Sequence, residues 1–135
     1  DEIRSILEVR FALEGLALRQ AVPTISDRTV EALRRELEVL QVPADILQAV
    51  EAAYNFQHEL ALASGNTIVP LVFQSFRDII YSMWERFCHL YGTEPLYQNN
   101  YRMWLYVKER DAEGAVEWLR QTIDECMNGS MQIDY

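Results

Sequence analysis

Cysteine, proline and glycine are all scarce in this chain, at two, four and five residues. Cys88 and Cys126 have no CxxC spacing, and two thiols cannot form the dense disulfide framework of a small secreted domain. Both fall in helical patterns, so reduced core cysteines of a cytoplasmic protein are expected ahead of a disulfide or a metal site. Proline and glycine recur at intervals of about one helix length and never cluster into a linker. Basic charge is also short, with 12 Lys and Arg against 21 Asp and Glu. The net charge of -9 argues against nucleic acid or an anionic membrane as a partner of this segment, because both require a basic surface. No apolar run reaches the roughly 18 residues of a membrane span. A Gly-rich phosphate loop, HExxH, a nucleophile elbow and Cys–His zinc spacing are all missing. Carboxylates are plentiful, yet none is singled out as half of a general acid–base pair. The expectation is therefore not an enzyme.

What is present is an apolar pattern with helical period. The 135 residues are 50% hydrophobic, which suits a single domain over 1–135 with a full core. Apolar spacing of three and four recurs nearly throughout, and no stretch alternates with period two. The spacing predicts an all-α antiparallel bundle of about six to seven helices, with helices near 2–21, 27–40, 44–63, 67–91, 95–109 and 111–128. Asp27 and Asp111 are candidate N-caps, Pro43, Pro70 and Pro95 suit first turns, and Gly65, Gly92 and Gly129 suit helix ends. The chain starts with Asp rather than Met and goes directly into amphipathic helix, so a domain cut from a longer protein is expected.

Helical wheels place several polar residues where packing should be apolar. Arg10 and Glu14 lie in the middle of the stripe formed by Ile3, Ile6, Leu7, Leu13, Ala17 and Leu18. Two readings stand for this pair. It is an ion pair that neutralises itself inside the bundle, or Arg10 offers its planar fork to an anionic ligand while Glu14 orients it. Arg77 shares a face with Phe73, Ile80, Tyr81 and Trp84. Asn100 sits among Leu96, Met103, Trp104 and Val107, and Thr122 among Ala115, Trp118, Leu119 and Cys126. Tyr54 and His58, four residues apart, occupy one face of the third helix. Each could be a satisfied core group, but together they describe a polar-centred cavity between helices, walled by Tyr81, Trp84, Trp104 and Trp118. Glu31, Arg34, Arg35, Glu38 and Glu117 belong to solvated faces.

Three stretches, "EVRFALEGLALRQA" at 8–21, "FQHELALASGN" at 56–66 and "KERDAEGAVEWLRQTI" at 108–123, resemble in order the effector domain of FadR-type regulators in the GntR superfamily. They are similar to that family's E-x-R-x-x-L-E opening, its F-H-x-x-L-x-x-A-S-G-N helix end and its R-D-A-E-x-A helix start. The resemblance implies an antiparallel helical bundle that binds a small metabolite, works as a homodimer, and follows an N-terminal winged helix-turn-helix domain that alone contacts DNA. It also implies, for many members, a divalent metal held by an Asp and three His. By position those ligands fall at Tyr54, His58, Asn100 and Thr122, of which only His58 keeps a strong ligand, so no cofactor is expected. "AYNFQHELALASGN" is also similar to the fatty-acid-responsive branch, which binds acyl-coenzyme A. That branch is expected to carry Arg at the position of His58, with Glu125 and Cys126 as the equivalents near the chain's end.

The expected function is therefore a cytoplasmic metabolite-sensing and dimerisation domain of a bacterial transcription regulator. In it Arg10 and Arg77 meet the carboxylate of an organic acid or acyl compound, with Glu14 beside Arg10. Tyr54, His58, Asn100 and Thr122 bond its polar groups, and Trp84, Trp104 and Trp118 close the walls. The alternatives are a helical interaction module without a ligand, and a metal-dependent sensor or enzyme of related fold.

Overall fold

A computed structural model describes residues 2–128, which form seven α-helices and one 3₁₀ turn, with no strand among them. The helices are α1 (Glu2–Ala21), α2 (Asp27–Gln41), α3 (Ile46–Ala63), α4 (Val69–Ser75), α5 (Arg77–Tyr91), α6 (Glu94–Lys108) and α7 (Ala112–Asn128), with the 3₁₀ turn Val22–Thr24 after α1. Gly129 lies outside the described residues.

The middle of the bundle belongs to α3, which packs against α1, α2, α4, α5 and α6. Its buried residues include Ala49, Ala52, Ala53 and Ala61, and side chains this small let neighbouring helices come close on several sides. Larger groups, Val50, Phe56 and Leu60, fill the space between them. Helices α2 and α3 form a hairpin across 42–45, and α6 also packs on α2, where the Trp104 indole donates to the Val30 carbonyl at 2.9 Å. Helix α7 closes the bundle by lying against α1 and α6.

Helix ends follow local chemistry, with three departures from expectation. The cap of α2 is Ser26, whose hydroxyl accepts the Thr29 N–H, so Asp27 falls inside the first turn and pairs instead with Arg110 at 2.7 Å. Asp45 caps α3 by accepting the Gln48 N–H at 2.8 Å, which puts Pro43 before the helix rather than in its first turn. The stretch 67–91 is two helices. The Ser75 hydroxyl bonds back to the Val72 carbonyl, the Phe76 N–H bonds to Phe73 three residues back, and the ladder restarts with Ile80 bonding to Phe76. Asp111 does cap α7, accepting the Gly114 N–H at 2.9 Å, and Gly65 and Gly92 take positive φ at the ends of α3 and α5.

The junction of α6 and α7 is a Schellman turn built without glycine. The Asp111 N–H bonds to Tyr106 and the Arg110 N–H to Val107, leaving Arg110 at φ 58. A left-handed arginine is tolerated because its side chain is tied on three sides, to the Lys108 and Ile25 carbonyls and to Asp27. Asp45→Ala should cost about 1 kcal/mol through its lost cap. Asp27→Ala should cost less, about 0.5 kcal/mol, because only an exposed ion pair goes. Urea denaturation of the two variants gives the comparison, and a larger loss for Asp27 would show the Arg110 tie to be the stronger constraint.

Candidate functional site

Helix α1 buries Leu7, Ala17, Leu18 and Ala21 on the stripe that also carries Arg10 and Glu14. Both charged residues are almost fully covered, at 7% and 5% exposure. They meet one helical turn apart in a two-pronged pair, Nε to Oε2 at 2.7 Å and Nη2 to Oε1 at 3.4 Å. The guanidinium carbon also lies 5.3 Å from the centre of the Trp84 ring. Burial opposes the charge on Arg10, and the field and hydrogen bond of Glu14 outweigh it, so the guanidinium is held above its ordinary range. As a unit the pair carries no net charge.

This pair forms one wall of a cavity of about 70 Å³ between α1, α3, α5, α6 and α7. Trp84, Asn100, Trp118 and Thr122, all anticipated, line it with Arg10 and Glu14, and so do Gln57 and Asn99. The Asn100 amide donates to the Leu96 carbonyl at 2.8 Å and accepts from Gln57 Nε2 at 3.4 Å. Thr122 returns its hydroxyl to the Leu119 carbonyl, and the Trp118 indole donates to the Asn99 carbonyl at 2.9 Å. An outer cleft of about 330 Å³ shares Phe87, Asn99, Trp118, Thr122 and Cys126 with the cavity and adds Arg120, Gln121, Asp124 and Glu125. The two spaces adjoin at these shared side chains, and the outer one opens on the exposed side of α7.

Five anticipated residues, Tyr54, His58, Arg77, Tyr81 and Trp104, stand elsewhere. Tyr54 and His58 share a face of α3, but it looks toward α4 and α5, where Tyr54 stacks on Phe73 at 5.0 Å and meets Tyr81 at 5.4 Å. The Gln74 amide donates to His58 Nε2 at 2.9 Å, and the Tyr54 hydroxyl is buried with no partner among the described residues. Burial pushes the Tyr54 phenol up, against the pull of Arg77. Arg77 itself is not inward. Its side chain is 51% exposed, with the guanidinium 4.3 Å from the Tyr81 ring centre, so an aliphatic stem crosses the aromatics and the charge reaches water. Trp104 packs on α2 through its bond to Val30 and lines neither space.

The cavity residue on α3 is Gln57, one place before His58. Adjacent positions on a helix differ by about 100°, so both cannot face the same space. The signal lies in the motif: reading F-H-x-x-L-x-x-A-S-G-N through Phe56, Leu60, Ala63, Ser64, Gly65 and Asn66 sets Gln57 at the histidine position. Asn99 carries no comparable signal, since its neighbour Asn100 occupies the centre of the apolar face.

A transition metal does not fit these donors. The cavity offers three amides, a hydroxyl and the Cys126 thiol, which burial keeps protonated against the pull of Arg10, while its carboxylate is committed to Arg10. Among the described residues no three His, Cys, Asp or Glu side chains converge on one point. Cys88 lies apart, buried, with its thiol pushed up to about 11 by desolvation.

The pair on α1 sets a measurable energetic signature. Glu14→Ala leaves a buried guanidinium without its anion and should cost about 3 kcal/mol. Replacing both partners together, Arg10→Met with Glu14→Leu, should cost clearly less in the same urea titration. Equal losses would mean that the unpaired guanidinium is not what destabilises Glu14→Ala.

Of individually curated proteins, none matches this chain. The family model described as FCD domain matches residues 5–125, nearly the whole chain and every helix that lines the cavity. The chain therefore belongs to the FCD family, the C-terminal effector-binding domains of GntR-family transcription regulators.

Proposed function

We propose that this domain senses a small organic effector held in the inner cavity and outer cleft, that it is not catalytic, and that it does so as a homodimer inside a cytoplasmic regulator whose N-terminal domain contacts DNA. The observation that carries the reading is a polar centre inside an otherwise apolar bundle, sharing five lining residues with a larger cleft. Small-molecule sites occupy about 300–1,000 Å³, so the inner cavity alone is too small and the two spaces together are sufficient. Helix α1 contributes Arg10 and Glu14, and α7 contributes Trp118, Thr122 and Cys126, so an effector between them acts on the spacing of these two helices. It can shift the regulator only by binding one arrangement more tightly than another.

Dimerisation is supported by apolar side chains that the monomer leaves outside. Val9 and Leu16, seven residues apart on α1, are exposed, as are Leu62 at the end of α3 and Ile68 and Leu71 around α4, which packs against α1. Leu71→Glu should convert a dimer into a monomer in sedimentation velocity without altering helical content. An unchanged sedimentation coefficient would place the contact elsewhere.

The effector reading is tested by native mass spectrometry and a thermal-shift screen of organic acids, acyl-coenzyme A compounds, amides and polyols. A true effector should raise the melting temperature with dose, by an amount matching about 2.7 kcal/mol at a hundred times its dissociation constant. Asn99→Phe, which fills the passage between the two spaces, should abolish that rise. No retained mass and no shift with any compound would favour a helical interaction module whose inward polar groups only fix packing.

A further inference from the structure

We propose that the inner cavity selects an uncharged hydrogen-bonding head group, an amide or hydroxyl, and rejects a carboxylate. This inference rests on the effector site proposed above and specifies what that site accepts.

Three features of the cavity lead to it. First, Arg10, the one cation lining the cavity among the described residues, is already paired with an anion. Arg10 engages Glu14 through Nε and Nη2, and its face is covered by Trp84. A ligand carboxylate would join a pair whose net charge is zero, and so would be buried without a counter-charge of its own. Second, the polar groups left facing the space are neutral. Gln57, Asn99 and Asn100 present amides, and Thr122 a hydroxyl. An amide has two N–H donors and a carbonyl with two lone pairs. Asn100 uses one N–H on Leu96 and one lone pair on Gln57, and so retains capacity for both kinds of bond. Paired donors and acceptors suit a ligand amide or hydroxyl, which offers both in return. A carboxylate only accepts, and would face the amide oxygens with nothing to donate. Third, the approach is acidic. The outer cleft carries Asp124 and Glu125 against Arg120, and Arg120 is held by Glu117 in a two-pronged pair, with Nε to Oε2 at 3.0 Å. An anion entering there meets carboxylates in a chain of net charge -9.

The same neutrality disfavours a cationic head, because the pair has no net negative charge to offer it. Trp84 and Trp118 supply apolar walls for the ligand body, with Phe87 where the cavity opens into the cleft.

The test uses acetamide and acetate, two probes of nearly equal size that differ in head-group charge and are small enough for the inner cavity. The indole N–H signals of Trp84 and Trp118 report binding in a titration followed by nuclear magnetic resonance. Acetamide should shift them saturably, with a dissociation constant at least tenfold below that of acetate. Gln57→Leu should weaken acetamide by about tenfold, the effect of one lost hydrogen bond. Glu14→Gln, which frees Arg10, should reverse the preference toward acetate. If that variant does not fold, Gln57→Leu and the wild-type comparison still decide. Acetate binding as tightly as acetamide to the wild type would overturn the inference while leaving the effector site standing. Silence of both indoles toward both probes would remove the inference and the site together.

Discussion

A guanidinium can be taken out of water only with an anion beside it, and much of this bundle's interior is arranged around that requirement. Arg10 sits on the buried stripe of α1, where a lone charge would cost several kcal/mol. Glu14, one turn later on the same stripe, supplies the counter-charge without calling on another helix. The pair closes within α1, and among the described residues no charged side chain of another helix forms an ion pair with it. Helix α5 brings Trp84 over the guanidinium, while α3, α6 and α7 bring amides, a hydroxyl and a thiol around it. An ion pair of this kind contributes little net stability compared with apolar packing. What it provides is a polar wall in the core, and hence a reason for the cavity to be there.

The three stretches that mark the family are unequal in what they do. Of the first, Arg10 and Glu14 enter the cavity wall. The second gives the cavity Gln57 and then turns to ending α3. The Ser64 hydroxyl bonds to the Ala61 carbonyl, Gly65 takes φ +73, and the Asn66 side chain accepts the N–H groups of Ile68 and Val69 ahead of α4. In the third, Arg110 and Asp111 form the turn into α7, and Gly114 leaves room where a Cβ would come within 2.6 Å of the Tyr106 ring. Most of these residues therefore fix where helices stop and start, and the site is a by-product of helices ending in the right places.

This division explains what is legible in the sequence. Helix existence and the buried faces of α1, α6 and α7 follow from apolar spacing, so Arg10, Glu14, Asn100, Trp118 and Thr122 stand out as inward groups on periodicity alone. The failures lie where one residue of phase or one side-chain direction decides. Gln57 and His58 both sit beside apolar neighbours, so periodicity alone does not choose between them, and the motif register does. A single wheel for 67–91 presumes an unbroken helix, whereas the restart at Phe76 puts Arg77 in a first turn, from which its long side chain reaches solvent. Periodicity reports where a Cβ points, and for arginine the charge lies several bonds further on.

The sharing of the cavity between α1 and α7 has a thermodynamic consequence. These helices pack along each other, so the two sides of the cavity belong to neighbouring helices. A ligand bound only by α6 and α5 could be tight and still leave α1 where it was. The proposed effector, set against Trp118 and Thr122 on one side and the Arg10–Glu14 wall on the other, would bear on both helices at once. Moving a two-state balance from about 1:99 to 99:1 takes roughly 5.5 kcal/mol of difference in binding. A rigid polar wall on α1 suits that task better than a flexible one, because Arg10, already held by Glu14 and Trp84, has no slack with which to absorb the ligand's push.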